Sequence, residues 1–172
     1  MERIEAMERL LILEDGSVYK GLAFGSDNFQ MGELVFNTSM TGYQEIITDN
    51  SYCGQIVMMT YPWIGNYGIN SDDNESMIPA LFGFVVKDYN DMPSNFRSQE
   101  NLDTYLKKVK IPGIYGIDTR AITLKIRQAG TMKAILANPD ADVDAIVQNL
   151  KKQDYLHDQV KRVSTTKAFP IP

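Results

Sequence analysis

A chain of 172 residues, 44% hydrophobic and 23% charged, fits one globular domain that can bury a core without disulfide or metal staples. Seventeen Lys and Arg against 22 Asp and Glu leave a net charge of −5, with basic pairs only at Lys107-Lys108, Lys151-Lys152 and Lys161-Arg162. Nucleic-acid partners want a basic face and are excluded on that ground. No apolar run approaches the ~18 residues of a membrane helix, so no membrane partner is expected.

The N-terminus MERIEAMERLLILEDG has acids where a signal peptide has a basic region. With a single cysteine, Cys53, it points to a reducing cytoplasm and leaves the sequons at Asn37 and Asn74 without consequence. The repeated MER at positions 1 and 7 makes Met7 a second candidate start.

Residues 10–13 read as a buried strand, Glu14-Asp15-Gly16 as a tight turn and 17–24 as the return strand. A third strand covers 31–37. Thr41-Gly42-Tyr43-Gln44 matches a capping box and opens a short helix over 42–48. The run 55–61 is a strand ended by Pro62. Residues 62–70 read as glycine-rich loop and 81–86 as a central strand. A helix over 98–109, capped by Ser98, places Leu102, Tyr105, Leu106 and Val109 on one stripe. Short strands at 114–116 and 131–136 flank a helix over 119–129, which Asp118 caps and Gly130 stops. A last helix over 142–152 turns Val143, Ile146, Val147 and Leu150 inward. Strands first, then strands mixed with helices, give an α/β fold in layered β/β/α form, with mixed sheets and helices on one face.

The chemistry-bearing residues do not close into a catalytic set. Cys53 needs a base, and the only histidine, His157, lies in a polar segment with no reason to meet it; Cys53 reads as a small buried filler. One Cys and one His make no tetrahedral metal site. Residues 71–76 (SDDNES) lack the glycine and the terminal glutamate of a calcium loop. Glu45 and Asp49 stand i, i+4 on the short helix, either as an acid–base pair or as two exposed acids.

The segments LILEDGSVYKG, GELVFNTSMTGYQEIITDNSYCGQIVMMTYPWIGNYGIN, PSNFR and GIDTRAIT resemble, in order, the N-terminal domain of the small, glutaminase subunit of carbamoyl phosphate synthetase. The likeness runs from about Leu10 to about Lys167. It implies a swivelling β/β/α domain followed by a class I glutamine amidotransferase domain with a Cys-His-Glu triad. That second domain hydrolyses glutamine. The ammonia passes to a large subunit that uses ATP, with magnesium, and bicarbonate to make carbamoyl phosphate for arginine or pyrimidine synthesis. Cys53 is not the family's nucleophile, and the segment itself needs no cofactor.

The resemblance divides the chain into an extension (1–8), the domain proper (9–160) and the start of a linker (161–172). It implies that the segment docks on the large subunit and is silent alone. It also implies that Ser51 completes the glutamine pocket of the amidotransferase domain. Two positions depart from the family pattern: Asn50 where proline is common, and Trp63 where histidine is common. An apolar patch around Trp63, Ile64 and Tyr67 is expected where the next domain docks. The alternative is a free-standing ligand-binding or regulatory module of the same fold.

Overall fold

The computed structural model describes residues 6–65, 69, 79–90 and 100–155. The chain opens with a hairpin of β1 (Glu8–Leu13) and β2 (Val18–Gly25). Its turn is the one the Asp-Gly pair predicts. Gly16 takes φ 91°, and the Asp15 carboxylate accepts from Ser17 N at 2.9 Å. There follow β3 (Gly32–Asn37), β4 (Gln55–Met59), β5 (Trp63–Ile64), β6 (Gly83–Val85), β7 (Asp88–Tyr89), β8 (Pro112–Tyr115) and β9 (Lys133–Ala137). The helices are α1 (Tyr43–Thr48), α2 (Leu102–Lys108), α3 (Thr119–Ala129) and α4 (Val143–Lys152).

Seven strands close into a barrel in the order β1-β2-β8-β6-β4-β3-β9, while β5 and β7 pair in parallel beside it. The barrel has two halves. β3, β4, β6 and β8 run parallel to one another. β9, β1 and β2 join them through antiparallel pairings. Alternation along each strand then sorts the side chains. Leu11, Leu13, Ile56, Met58, Ile114 and Leu136 fill the inside, joined by Ile122 and Ile126 of α3. Val57, Met59, Phe84 and Val86 face outward from the parallel half, under Ile47 of α1 and Leu102 and Leu106 of α2. Leu10 and Ile12 face outward from the antiparallel half, under Leu150 of α4.

The α/β class holds, but the helices do not share one face. α1 and α2 cover the parallel half, α4 covers β1 and β9, and α3 packs on residues of the barrel interior. The β1 strand has two apolar faces, Leu11 and Leu13 on one and Leu10 and Ile12 on the other. It therefore has to be covered from outside as well as from within.

Two helix starts differ from the sequence reading. Asn101 caps α2, accepting from Thr104 N at 2.8 Å, because Glu100 is still extended and bridges Ile69. Ser98 lies outside the described residues. At α1 the expected capping box is absent. Gly42 is the N-cap with φ 79° and no side-chain cap, and Gln44 is fully buried instead of turning back to Thr41. A backbone at that φ suits glycine and strains other residues. The caps of α3 and α4 are as read, with Asp118 accepting from Ala121 N and Asp142 from Ala145 N.

Leu11 is fully buried inside the barrel. Leu11→Ala is expected to cost about 2–5 kcal/mol in urea unfolding. Val18→Ala, at an exposed strand start, should stay within about 0.5 kcal/mol. A second expectation concerns acid. Burial works to raise the Asp15 carboxyl, but its hydrogen bonds to Lys125 and to Ser17 outweigh that and hold it below the ordinary value. A depressed carboxyl stabilises the fold above its unfolded pKa, and that contribution is lost as pH falls through the folded value. Lys125→Gln should therefore lower the melting temperature slightly near neutrality, where the contribution is fully present, and leave it unchanged at the acid end, so that the fall below about pH 4 is flatter.

Candidate functional site

Everything singled out between Asn37 and Gln55 lies on the crossover from β3 to β4. A parallel pair needs such a crossover, because its strands enter from the same end. The register sets Asn37 beside Met59 and Glu33 beside Gln55. The chain therefore leaves β3, forms α1, makes a 3-10 turn at Asn50–Tyr52 and drops into β4.

Ser51 is the middle residue of that turn and is exposed. Its amide donates to Asp49 Oδ1 at 2.8 Å, and its hydroxyl bonds no other described residue. On either side the chain is tied down. Tyr52 N donates to Asp49 O at 3.1 Å, Cys53 N to Asn50 O at 3.1 Å and Gly54 N to Ala80 O at 3.0 Å. The result is a solvent-facing hydroxyl, with one donor and two acceptor lone pairs, on a mount fixed by backbone bonds.

The acid pair does not assemble. Glu45 is inside α1, but Asp49 is past its end with φ −74° and ψ 115°, so helical i, i+4 geometry fails. Asp49 is spent as the cap of the 3-10 turn. Among the described residues, Glu45 Oε2 and Asn50 Oδ1 are buried without partners, one on each side of Asp49 in sequence. Cys53 is 3% exposed, buried at the entry to β4 as a filler should be. His157, the acidic run 71–76 and Tyr67 lie outside the described residues. Among the described residues no group of His, Cys, Asp and Glu is placed to hold a metal ion.

The apolar patch is corrected at Ile64. That side chain is 1% exposed and belongs to the cluster under α1 and α2, so it offers nothing to another domain. An isoleucine in a two-residue strand beside the barrel is drawn inward by the apolar face of β4 and β6. Met40, 67% exposed on the loop before α1, is an apolar side chain that does face solvent near Ser51 in sequence.

One contact escaped the sequence reading. Asn37 Nδ2 donates to Tyr52 Oη at 2.9 Å, joining the end of β3 to the 3-10 turn. Its signal lies in the register of β3 against β4 and not in any local pattern.

A cavity of about 380 Å³ opens elsewhere, lined by Arg9, Phe24, Asp27, Tyr89, Asp103 and Lys107 among others. Its charges are largely spent on one another. The buried Arg9 donates through Nη1 to Phe24 O and Gly113 O and through Nη2 to Asp27. Asp103 accepts from Gly25 N and from Lys107 Nζ, both at 2.7 Å. Burial pulls the Arg9 guanidinium below its ordinary pKa, against the pull of Asp27 and Asp103. This is the pattern of a structural tie between β1, β2, β8 and α2.

No described helix is long and apolar enough to cross a membrane. The family described as carbamoyl-phosphate synthase small chain, CPSase domain, matches residues 11–136. The carbamoyl phosphate synthase pyrimidine-specific small chain of Halalkalibacterium halodurans is 58% identical over 166 residues, 96% of this chain and 46% of that one. The carbamoyl phosphate synthase small chain of Fusobacterium nucleatum is 58% identical over 162 residues, 94% of this chain and 45% of that one. The pyrimidine-specific small chain of Bacillus subtilis is 52% identical over 166 residues, again 96% and 46%. The chain thus spans less than half the length of these relatives. With residues 11–136 matched by its domain, the chain belongs to the carbamoyl-phosphate synthase small chain family.

Proposed function

We propose that this chain is the part of a glutamine-hydrolysing small subunit that docks on the large synthetase subunit and lends Ser51 to a glutamine pocket built by an amidotransferase domain. The reading is carried by one observation: in a member of this family, Ser51 presents an exposed hydroxyl on a turn tied down on both sides. An amino-acid substrate carries an ammonium, a carboxylate and an amide. A hydroxyl that both donates and accepts fits any of them.

Glutamine hydrolysis then takes place on the other half of the subunit, through its Cys-His-Glu triad. The ammonia goes to the large subunit, where ATP and magnesium drive carbamoyl phosphate synthesis. Cys53 takes no part, since a nucleophilic thiolate needs access and a base, and this thiol is buried. The segment works in the cytoplasm, without a cofactor of its own. The pyrimidine-specific names of two relatives support use of the product in pyrimidine synthesis. The barrel reads as a closed form of the swivelling β/β/α arrangement, a view supported by its parallel and antiparallel halves.

Two measurements test the reading. The purified 172-residue chain should release no ammonia from glutamine above the buffer rate, and measurable glutaminase activity would refute its silence. In the small subunit carrying this segment, assembled with its large subunit, Ser51→Ala should raise the KM for glutamine roughly tenfold, the scale of one hydrogen bond to a charged group. Synthesis driven by added ammonia bypasses the pocket and should not change. An unaltered glutamine KM would remove Ser51 from the pocket.

A further inference from the structure

The turn that carries Ser51 is fastened separately on its two sides. On the N-terminal side Asp49 accepts from Ser51 N, and Asp49 N donates to Ile46 O at 3.3 Å. That fastener is local and ties the turn only to α1. On the C-terminal side Tyr52 Oη accepts from Asn37 Nδ2 at 2.9 Å, which ties the turn to the barrel.

Both side-chain polar atoms of Asn37 and its backbone carbonyl are committed. Its Oδ1 accepts from Ser39 N at 2.8 Å. Its backbone carbonyl accepts from Thr60 N at 3.0 Å, just past β4. One residue thus holds the loop before α1, the strand after the crossover and the turn at its middle. This takes two polar atoms on one short stem, and in asparagine one donates and the other accepts.

The Tyr52 ring already packs on the cluster under α1 and α2, so a phenylalanine would bury the same apolar surface. What the hydroxyl adds is direction. It fixes the turn relative to the end of β3, next to an exposed serine whose own side chain is held by no described residue. Preorganisation of this kind matters where a group must meet a substrate at a set distance, because small displacements there cost more than stability measurements reveal.

We infer that Asn37 and Tyr52 are a positioning pair for Ser51: their hydrogen bond holds the serine hydroxyl in place for glutamine bound by the other half of the subunit, and neither residue touches the substrate. This rests on the reading of Ser51 given above.

The test uses the small subunit containing this segment, assembled with its large subunit, and compares variants by glutamine-driven and ammonia-driven synthesis. Tyr52→Phe should lower kcat/KM for glutamine about five- to thirtyfold, chiefly through KM, with ammonia-driven synthesis and the melting temperature nearly unchanged. Asn37→Leu should show at least that glutamine defect, since it also loses the bond from Ser39 N. Adding Tyr52→Phe to Asn37→Leu should cost nothing further, since the leucine has already removed their shared bond. Asn37→Asp should recover most of the glutamine activity, because its carboxylate accepts from the tyrosine hydroxyl and still accepts from Ser39 N. If Ser51→Ala raises the glutamine KM while Tyr52→Phe does not, Ser51 keeps its role and the positioning pair is overturned. If Ser51→Ala is itself silent, the reading of Ser51 falls and the pair falls with it. Should Asn37→Leu fail to fold, the contrast of Tyr52→Phe with Asn37→Asp decides the matter alone.

Discussion

The parallel pairing of β3 with β4 is the constraint on which the rest depends. Parallel neighbours cannot be joined by a tight turn, so residues 38–54 must climb from one end of the barrel back to the other. That return path is where α1, the 3-10 turn and Ser51 sit. The pairing also places Asn37 level with Met59, so that the last side chain of β3 lies under the descending arm of its own crossover. The barrel behind it supplies rigidity. Val57 and Met59 are fully buried on one face of β4 and Ile56 and Met58 on the other, so the strand that receives the crossover has no room to slide. A one-residue slip would exchange the two faces.

Sequence reasoning reached the elements whose causes are local. The Asp15-Gly16 turn, the Asp118 and Asp142 caps and the stripes of α2 and α4 all follow from residues within a few positions of one another. It failed where a distant partner decides. Glu100 looks like helix but bridges Ile69, which holds it extended and moves the cap of α2 to Asn101. Gln44 fits a capping box by pattern, yet the core under α1 claims it, and Gly42 starts the helix by its backbone alone. Ile64 was expected to face a second domain, and the outer face of the parallel half buries it. Barrel closure itself has no local signature, since it depends on β9 pairing with both β1 and β3.

The site divides in the same way. Ser51 is proposed on a family resemblance alone, because an exposed serine in a turn carries no chemical signal of its own. Residue type and spacing alone read Cys53 as a buried filler and left Glu45 with Asp49 as an acid–base pair or two exposed acids, and the structure gives each a local task or none. Cys53 fills the entry to β4, Asp49 caps the turn, and Glu45 is left with one buried, unpartnered oxygen. Among the described residues Glu45 Oε2 and Asn50 Oδ1 are two buried acceptors without partners on this short crossover, a cost that most buried polar groups avoid.

That cost bears on why the crossover holds its shape. A segment with few apolar anchors and two orphan acceptors ought to open easily, as low-stability elements do. Here the anchoring is concentrated at its two ends. Ile47 and Tyr43 set α1 into the cluster over the parallel half, and Cys53 and Gly54 are buried at the start of β4. Between these ends stand Asn50, with its buried acceptor, and Ser51, exposed. Asp49 below them and Tyr52 above them are what convert two end anchors into a fixed middle.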